Sequence, residues 1–291
     1  MERTFPTPEP VRLVVENAAG FVSVSAAETE TSTVLLEPDN PDAEDLVAQA
    51  IVECRPKKGG RNVLVVKLPK AQGLRFLRHN GVTVRVTVPE GSDVDVATAS
   101  ADVEVTGSVG DLDLSTASGD LSADEVAGEV SAKSANGDIT VGNVGGELRV
   151  HTASGDLRCS SVCGRVLFAS ASGDLEIGSA GDRVEVKTAS GNARLGELAQ
   201  GARVTGNSGD VRVLALAGGT LHVRCVSGDV QVGVAQSVDV RVDVETVSGS
   251  VHSDIALDGA PAERHGAARA EITVRNVSGD IAIEHALEQV A

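Results

Sequence analysis

From about Asp93 onward, apolar and polar residues alternate in short runs, and the runs return at a fixed interval. The hexapeptide "TASGDL" at 116–121 recurs as "SANGDI", "TASGDL", "SASGDL" and further variants down to "NVSGDI" at 276–281. Its glycines mark the period: Gly119, Gly137, Gly155, Gly173, Gly191, Gly209, Gly228, Gly249 and Gly279, spaced 18, 18, 18, 18, 18, 19, 21 and 30 residues apart. Two residues after successive markers stand Leu121, Ile139, Leu157 and Leu175. Four after stand Ala123, Val141, Cys159 and Ile177, and seven after stand Val126, Val144, Val162 and Ala180. Nine residues on, the same three phases return: Val130, Leu148 and Val166, then Ala132, Val150 and Phe168, then Ala135, Ala153, Ala171 and Ala189.

Alternation over a few residues is the mark of a half-buried strand, and a fixed period near 20 residues is the mark of a solenoid. The pattern therefore predicts an all-β, two-faced β-solenoid of 18-residue coils, each coil holding two short strands at the ~4.8 Å rung spacing of a β-ladder. Stacked hairpins of the same period are the alternative. At each corner the reading places Ala inward, Gly at positive φ and Asp on nearby backbone N–H groups.

Residues 1–92 do not keep the period and are expected to form an irregular β-rich cap ahead of a solenoid over 93–291. Strands are predicted around Val11–Val15, Phe21–Ser25, Thr33–Glu37, Val63–Leu68 and Val82–Val88, with one short helix near Asp42–Ala50. The 30-residue interval holds "SDIALDGAPAERHGAAR", read as a loop inserted at about 253–268 before a last rung, "NVSGDIAIEH".

Composition agrees with this picture. The chain has 32 Gly, no Trp or Tyr, four Phe and one Met, yet 41% hydrophobic residues, so Val, Leu, Ile and Ala must build the core. The near absence of aromatics argues against base-stacking and sugar-stacking surfaces. A net charge of −17 argues against nucleic-acid binding. No signal-type apolar run opens the chain and no stretch reaches a membrane span, so a cytoplasmic protein is expected. Four cysteines (Cys54, Cys159, Cys163, Cys225) are too few for a disulfide framework and are read as small core residues.

The "VVENAAGFVSVSA" and "VTVRVTVPEGSDVDVATASADVEVTG" segments and the "TASGDL" ladder together resemble the bacterial putative-adhesin, or toast-rack, β-strand-repeat family, a domain of unknown function, over roughly residues 11–285. The resemblance implies a β-solenoid-like rack without established enzymatic activity. In that family the domain is often linked to membrane-stress and envelope regulatory proteins.

Three candidate sites follow. Asp120, Asp138, Asp156, Asp174, Asp210 and Asp229 share one phase, with Asp280 beyond them and Asn192 and Ser250 replacing Asp twice. Stacked, such charges repel by about 1 kcal/mol per pair in water. Either turn hydrogen bonds or a cation such as Ca²⁺ must offset that. The substitutions by Asn and Ser favour turn chemistry, with a Ca²⁺ ladder as the alternative. From Arg55 to Arg85 there are nine basic and no acidic residues, leaving −26 elsewhere. Arg55, Lys57, Lys58, Arg61, Arg75, Phe76 and Arg78 could therefore dock a protein, a second copy head to tail, or the surface of an anionic membrane. The inserted loop gathers Asp254, Asp258, Glu263, Arg264 and His265, the one place where an enzyme reading could settle. No zinc spacing or nucleophile motif is present. The sequence is therefore read as a non-enzymatic interaction scaffold with no cofactor. The alternative is a metal-dependent binder or an enzyme using the Asp edge or the 253–268 loop.

Overall fold

The computed structural model describes residues 1–57, 59–69, 81–236, 238–255 and 268–286. They form an all-β solenoid of mainly parallel strands, with one α-helix, Glu44–Ala48, led by a 3-10 turn at Pro41–Ala43. The chain divides into two compact units, Met1–Gly146 and Glu147–Ala291.

In the first unit, Asp102–Val109, Leu121–Val126 and Ile139–Val144 pair in parallel on one face. Asp93–Thr98, Leu112–Ser115 and Val130–Ser134 do the same on the other. The register is the sequence period itself: Leu121 opposes Ile139 and Val126 opposes Val144. A one-residue slip would turn every inward side chain outward, so the apolar phases fix this register. The second unit repeats the arrangement, Leu157 against Leu175 against Ala193 against Val211. The three phases read from the sequence are the core: Leu121, Ile139, Leu157, Leu175, Val141, Ile177, Val126 and Val162 are all buried, as are Leu148, Val150, Val166 and Phe168.

The corner differs from expectation. Ala153, Ala171 and Ala189 are exposed and Ala135 is half-buried; the inward corner position is the hydroxyl residue just before each alanine. Thr116 is buried, and Ser134, Thr152, Ser170 and Thr188 are half-buried. In the first unit a hydroxyl suits the place because the corner there leaves the glycine N–H without a ladder partner. Thr116 Oγ1 accepts from the Gly119 N–H at 2.9 Å and Ser134 Oγ from the Gly137 N–H at 2.7 Å. Positive φ is also not general to the glycine column. Gly191, Gly209, Gly228, Gly249 and Gly279 adopt it, but Gly119, Gly137 and Gly173 do not. At Gly173 close approach is the reason for glycine, since a Cβ would stand 2.2 Å from the Gly155 carbonyl oxygen.

At each end of the chain one coil stacks out of sequence order. In the first unit, Arg12–Asn17 lies between Val63–Lys67 and Asp93–Thr98, and Gly20–Ala27 lies between Val82–Pro89 and Asp102–Val109. Residues outside the 18-residue period thus supply two further coils. Antiparallel strands Thr31–Pro38, Glu2–Pro6 and Ile51–Arg55 complete the edges. In the second unit, Ala268–Ser278 and Ile281–His285 sit directly on Gly219–Arg224 and Val230–Val234. The "NVSGDIAIEH" coil is therefore not the outermost rung; Val238–Ser248 and Val251–Ser253 are. The more apolar coil takes the inner place: Ile272, Val274, Ile281 and Ile283 are all but inaccessible, while Val240, Val242 and Val244 stay half-buried. Both out-of-order coils carry a buried Asn at the corner position that holds a hydroxyl in Thr116, Ser134, Thr152, Ser170 and Thr188 and is Gly206 and Cys225 in the two coils stacked inside the second of them. Asn17 Nδ2 donates to the Val82 carbonyl at 2.9 Å, and Asn276 Nδ2 to the Gly228 carbonyl at 2.8 Å.

Candidate functional site: the aspartate edge and its groove

The aspartates stand at the start of the strands on one face, and within each unit their carboxylates reach the backbone of the next coil. In the first unit, Asp102 Oδ1 accepts from the Asp120 N–H at 3.0 Å, and Asp120 Oδ1 from the Asp138 N–H at 2.8 Å. In the second, Asp156 accepts from Asp174 at 2.9 Å, Asp174 from Asn192 at 2.7 Å and Asn192 from Asp210 at 2.9 Å. Asp210 then accepts from Asp229 at 2.9 Å, and Asp229 from Asp280 at 2.8 Å. Asp280 ends the row by accepting both the N–H (2.8 Å) and the hydroxyl (2.9 Å) of Ser250. Those two bonds, the backbone one first, hold its carboxyl below the usual carboxylate range. The bond runs between coils rather than within a turn. Asn192 serves in the same way through its side-chain oxygen, which explains how an amide can replace a carboxylate here.

Two members of this chemistry escaped the sequence reading. Asp102 belongs to the row although its corner carries Ala101 in place of Gly; its spacing of 18 from Asp120 was the available signal. A second acceptor column occupies the opposite corner of the first unit. There Asp93 accepts from the Asp111 N–H at 3.2 Å and Asp111 from the Glu129 N–H at 2.9 Å, again 18 residues apart.

Beside the row in the second unit lies a groove of about 530 Å³, where Arg158, Glu176, Arg194, Arg212 and Gln231 follow one another down adjacent coils. Arg158 meets Asp156 at 3.2 Å, Arg194 meets Glu176 at 3.9 Å, and Arg212 Nε donates to Gln231 at 2.7 Å. Exposed pairs of this kind contribute about 0–1 kcal/mol each, so the groove can exchange them for a ligand's charges at small cost. On the other face, the Lys187 hydrogen bond, with Arg165 also contributing, draws the Glu185 carboxyl below its ordinary value.

The basic residues of 55–85 are partly described. Arg55 pairs with Glu53, and Arg61 with Asp93 and, at 2.8 Å, with the Gly91 carbonyl. Lys57 is exposed. Lys58, Arg75, Phe76 and Arg78 lie outside the described residues, as do Asp258, Glu263, Arg264 and His265 of the inserted loop. Asp254, at the loop's start, meets His252 at 2.8 Å. The cysteines stand apart. Burial pushes the Cys159 thiol up to about 11 and raises Cys225 and Cys54, whereas Cys163 is exposed. Among the described residues no three His, Cys, Asp or Glu side chains converge as metal ligands, and no helix is long and apolar enough to cross a membrane.

The fold has a solved counterpart. A structure named a "putative adhesin" from Parabacteroides distasonis shares 14% identity, covers 98% of this chain and 96% of its own, and superposes with a TM-score of 0.53. A second "putative adhesin", from Bacteroides fragilis, shares 12% identity over 97% of this chain and 96% of its own, with a TM-score of 0.43. No curated protein matches. The Toastrack DUF4097 model matches residues 22–195 and again 128–284. Between them the two matches span nearly every coil, and the chain belongs to the Toastrack DUF4097 family.

Proposed function

We propose that this chain is a non-enzymatic interaction scaffold. Its aspartate row acts as a structural brace, and its partner is a protein segment laid along the groove of the second unit. The observation that carries this reading is the ladder: Oδ1 of Asp120, Asp174, Asp210 and Asp229 already accepts a backbone N–H from the next coil. Acceptors spent in this way leave an incomplete set for a cation wanting six to eight oxygens. The mainly cationic row of Arg158, Arg194 and Arg212, broken by Glu176, suits an extended polypeptide that carries carboxylates at rung spacing. Residues 1–92 act as the cap of the solenoid, and the basic run 55–85 as a second contact for an anionic partner or membrane surface. Assembly in envelope-stress or regulatory complexes fits this role.

Calorimetric titration of the whole chain with Ca²⁺, beside melting curves with and without chelator, separates this reading from a Ca²⁺ binder. The expected result is no saturable heat and an unchanged melting temperature. Binding of several ions per chain with a rise of many degrees would replace the scaffold reading with a metal-dependent one.

A further inference from the structure

The second unit ends, among the described residues, in a strand paired on one side only. The Val238–Ser248 strand is the last of its sheet and, among the described residues, has one neighbour, Ala268–Ser278. Its far side therefore presents a row of backbone N–H and C=O groups ready for a further strand. Its inward row is also incomplete. Val240, Val242 and Val244 are half-buried, whereas Ala270, Ile272 and Val274, their partners one coil in, are 4%, 0% and 0% exposed. Val247 and Val251 at the same end are 79% and 52% exposed. A polar cap would not need this row of valines.

We infer that two copies join edge to edge through antiparallel pairing of Val238–Ser248 about a two-fold axis normal to the sheet. Such an axis keeps inward faces inward, so each copy's open core is closed by the other's. The outward charges select the register. With Val242 on the axis, Arg241 faces Asp243 of the second copy, and Asp243 faces its Arg241. Asp239 and Glu245 then oppose one another, but each already has a cation beside it on the inner strand, Arg269 and Arg275. Moving the axis to Asp243 would set that aspartate against itself with only Thr273 beside it. The edge thus carries a charge pattern complementary to itself about Val242, where a purely protective edge would need only repulsion. This inference does not depend on the groove or on the aspartate row.

Sedimentation velocity of the full chain over a concentration series tests it. A dimer is expected for the wild type, a monomer for Arg241→Asp, and a recovered dimer for Arg241→Asp combined with Asp243→Arg. Circular dichroism melts show whether each variant is folded. A wild type that stays monomeric overturns the inference, as does growth past the dimer or an Arg241→Asp variant that still dimerises. A monomer whose 238–248 amides are protected from hydrogen exchange would mean that the chain covers its own edge, which also overturns it.

Discussion

The hexapeptide TASGDL stands at 116–121 in the first unit and at 152–157 in the second, and its corner is wired differently in the two. In the first, Thr116 Oγ1 accepts the Gly119 N–H at 2.9 Å and receives the Thr98 hydroxyl at 2.9 Å. In the second, the Gly155 N–H crosses to the Ser172 carbonyl of the next coil at 3.3 Å, and Thr152 Oγ1 is buried without a hydrogen-bond partner. The Leu148–Ser154 strand runs through the corner, with Thr152 against Ser170 and Ser154 against Ser172, whereas Leu112–Ser115 stops short of it. One six-residue sequence therefore makes a capped turn in one place and a continued ladder in another. What is constant between them is the aspartate's bond to the neighbouring coil. The corner residues specify a bend, while the neighbouring coils decide which acceptor takes the glycine N–H.

The largest effect that could break this comparison comes from the glycine column. A Cβ at Gly119 would stand 2.0 Å from the Ala101 oxygen, and one at Gly209 would stand 2.1 Å from the Gly191 oxygen. Either Gly→Ala change should lower stability in urea by about 1–3 kcal/mol through overpacking. Gly209 sits at φ +136 while Gly119 does not need positive φ, so Gly209→Ala should cost about 1–3 kcal/mol more. Equal losses would remove the claim that the second unit's later corners are also held by backbone conformation.

A smaller effect reads the hydroxyls directly. Thr116→Val should cost about 1–3 kcal/mol, because it strands the buried Gly119 N–H. Thr152→Val should be neutral or slightly stabilising, because it deletes a hydroxyl that lacks a partner. Equal costs in urea unfolding would show that the two corners are wired alike.

The smallest effect follows from a thiol in the inward phase of the second unit, Cys159, where the first unit has Ala123 and Val141. Its folded pKa, about 11, lies above the ordinary thiol value of about 8.5. The neutral thiol therefore contributes its full stability below the ordinary value, and that contribution is lost as pH rises toward about 11. Thermal melts should decline over this window in the wild type and less so in Cys159→Ala. Exposed Cys163 should react with a maleimide well before Cys159 at pH 8. Faster labelling of Cys159 would place it outside the core.

The core was legible because its signal is periodic: Leu121, Ile139, Leu157 and Leu175 could be counted to the inside without coordinates. The corner was not, because an apolar criterion prefers the methyl of Ala153 to the hydroxyl of Thr152. The hydroxyl's reason for facing inward at Thr116 is a backbone N–H that appears only once the turn is built. The out-of-order coils were hidden for a different reason. Parallel pairing is non-local, and once spacing fails at 30 residues, nothing in a local window says which coil lies inside. Asn17 and Asn276, both buried at the hydroxyl's place, were the legible trace of it. For the site, the aspartate column could be read, but not that its bonds cross to the next coil, and Asp102 was missed because Ala101 broke the glycine marker. The groove of arginines was missed because outward polar residues carry no phase signal of their own.

The central claim is that the aspartate row is a hydrogen-bonded brace rather than a cation site, and Asp174 tests it most directly. It accepts the Asn192 N–H at 2.7 Å, and Asn192 performs the same role as an amide one coil on. Melting curves of wild type, Asp174→Asn and Asp174→Ala should be recorded with Ca²⁺ and with chelator. The account predicts that Asn is tolerated, that Ala costs about 1 kcal/mol, and that Ca²⁺ moves none of the three curves. Equal loss for Asn and Ala, together with a Ca²⁺-dependent rise in the wild type alone, would contradict it.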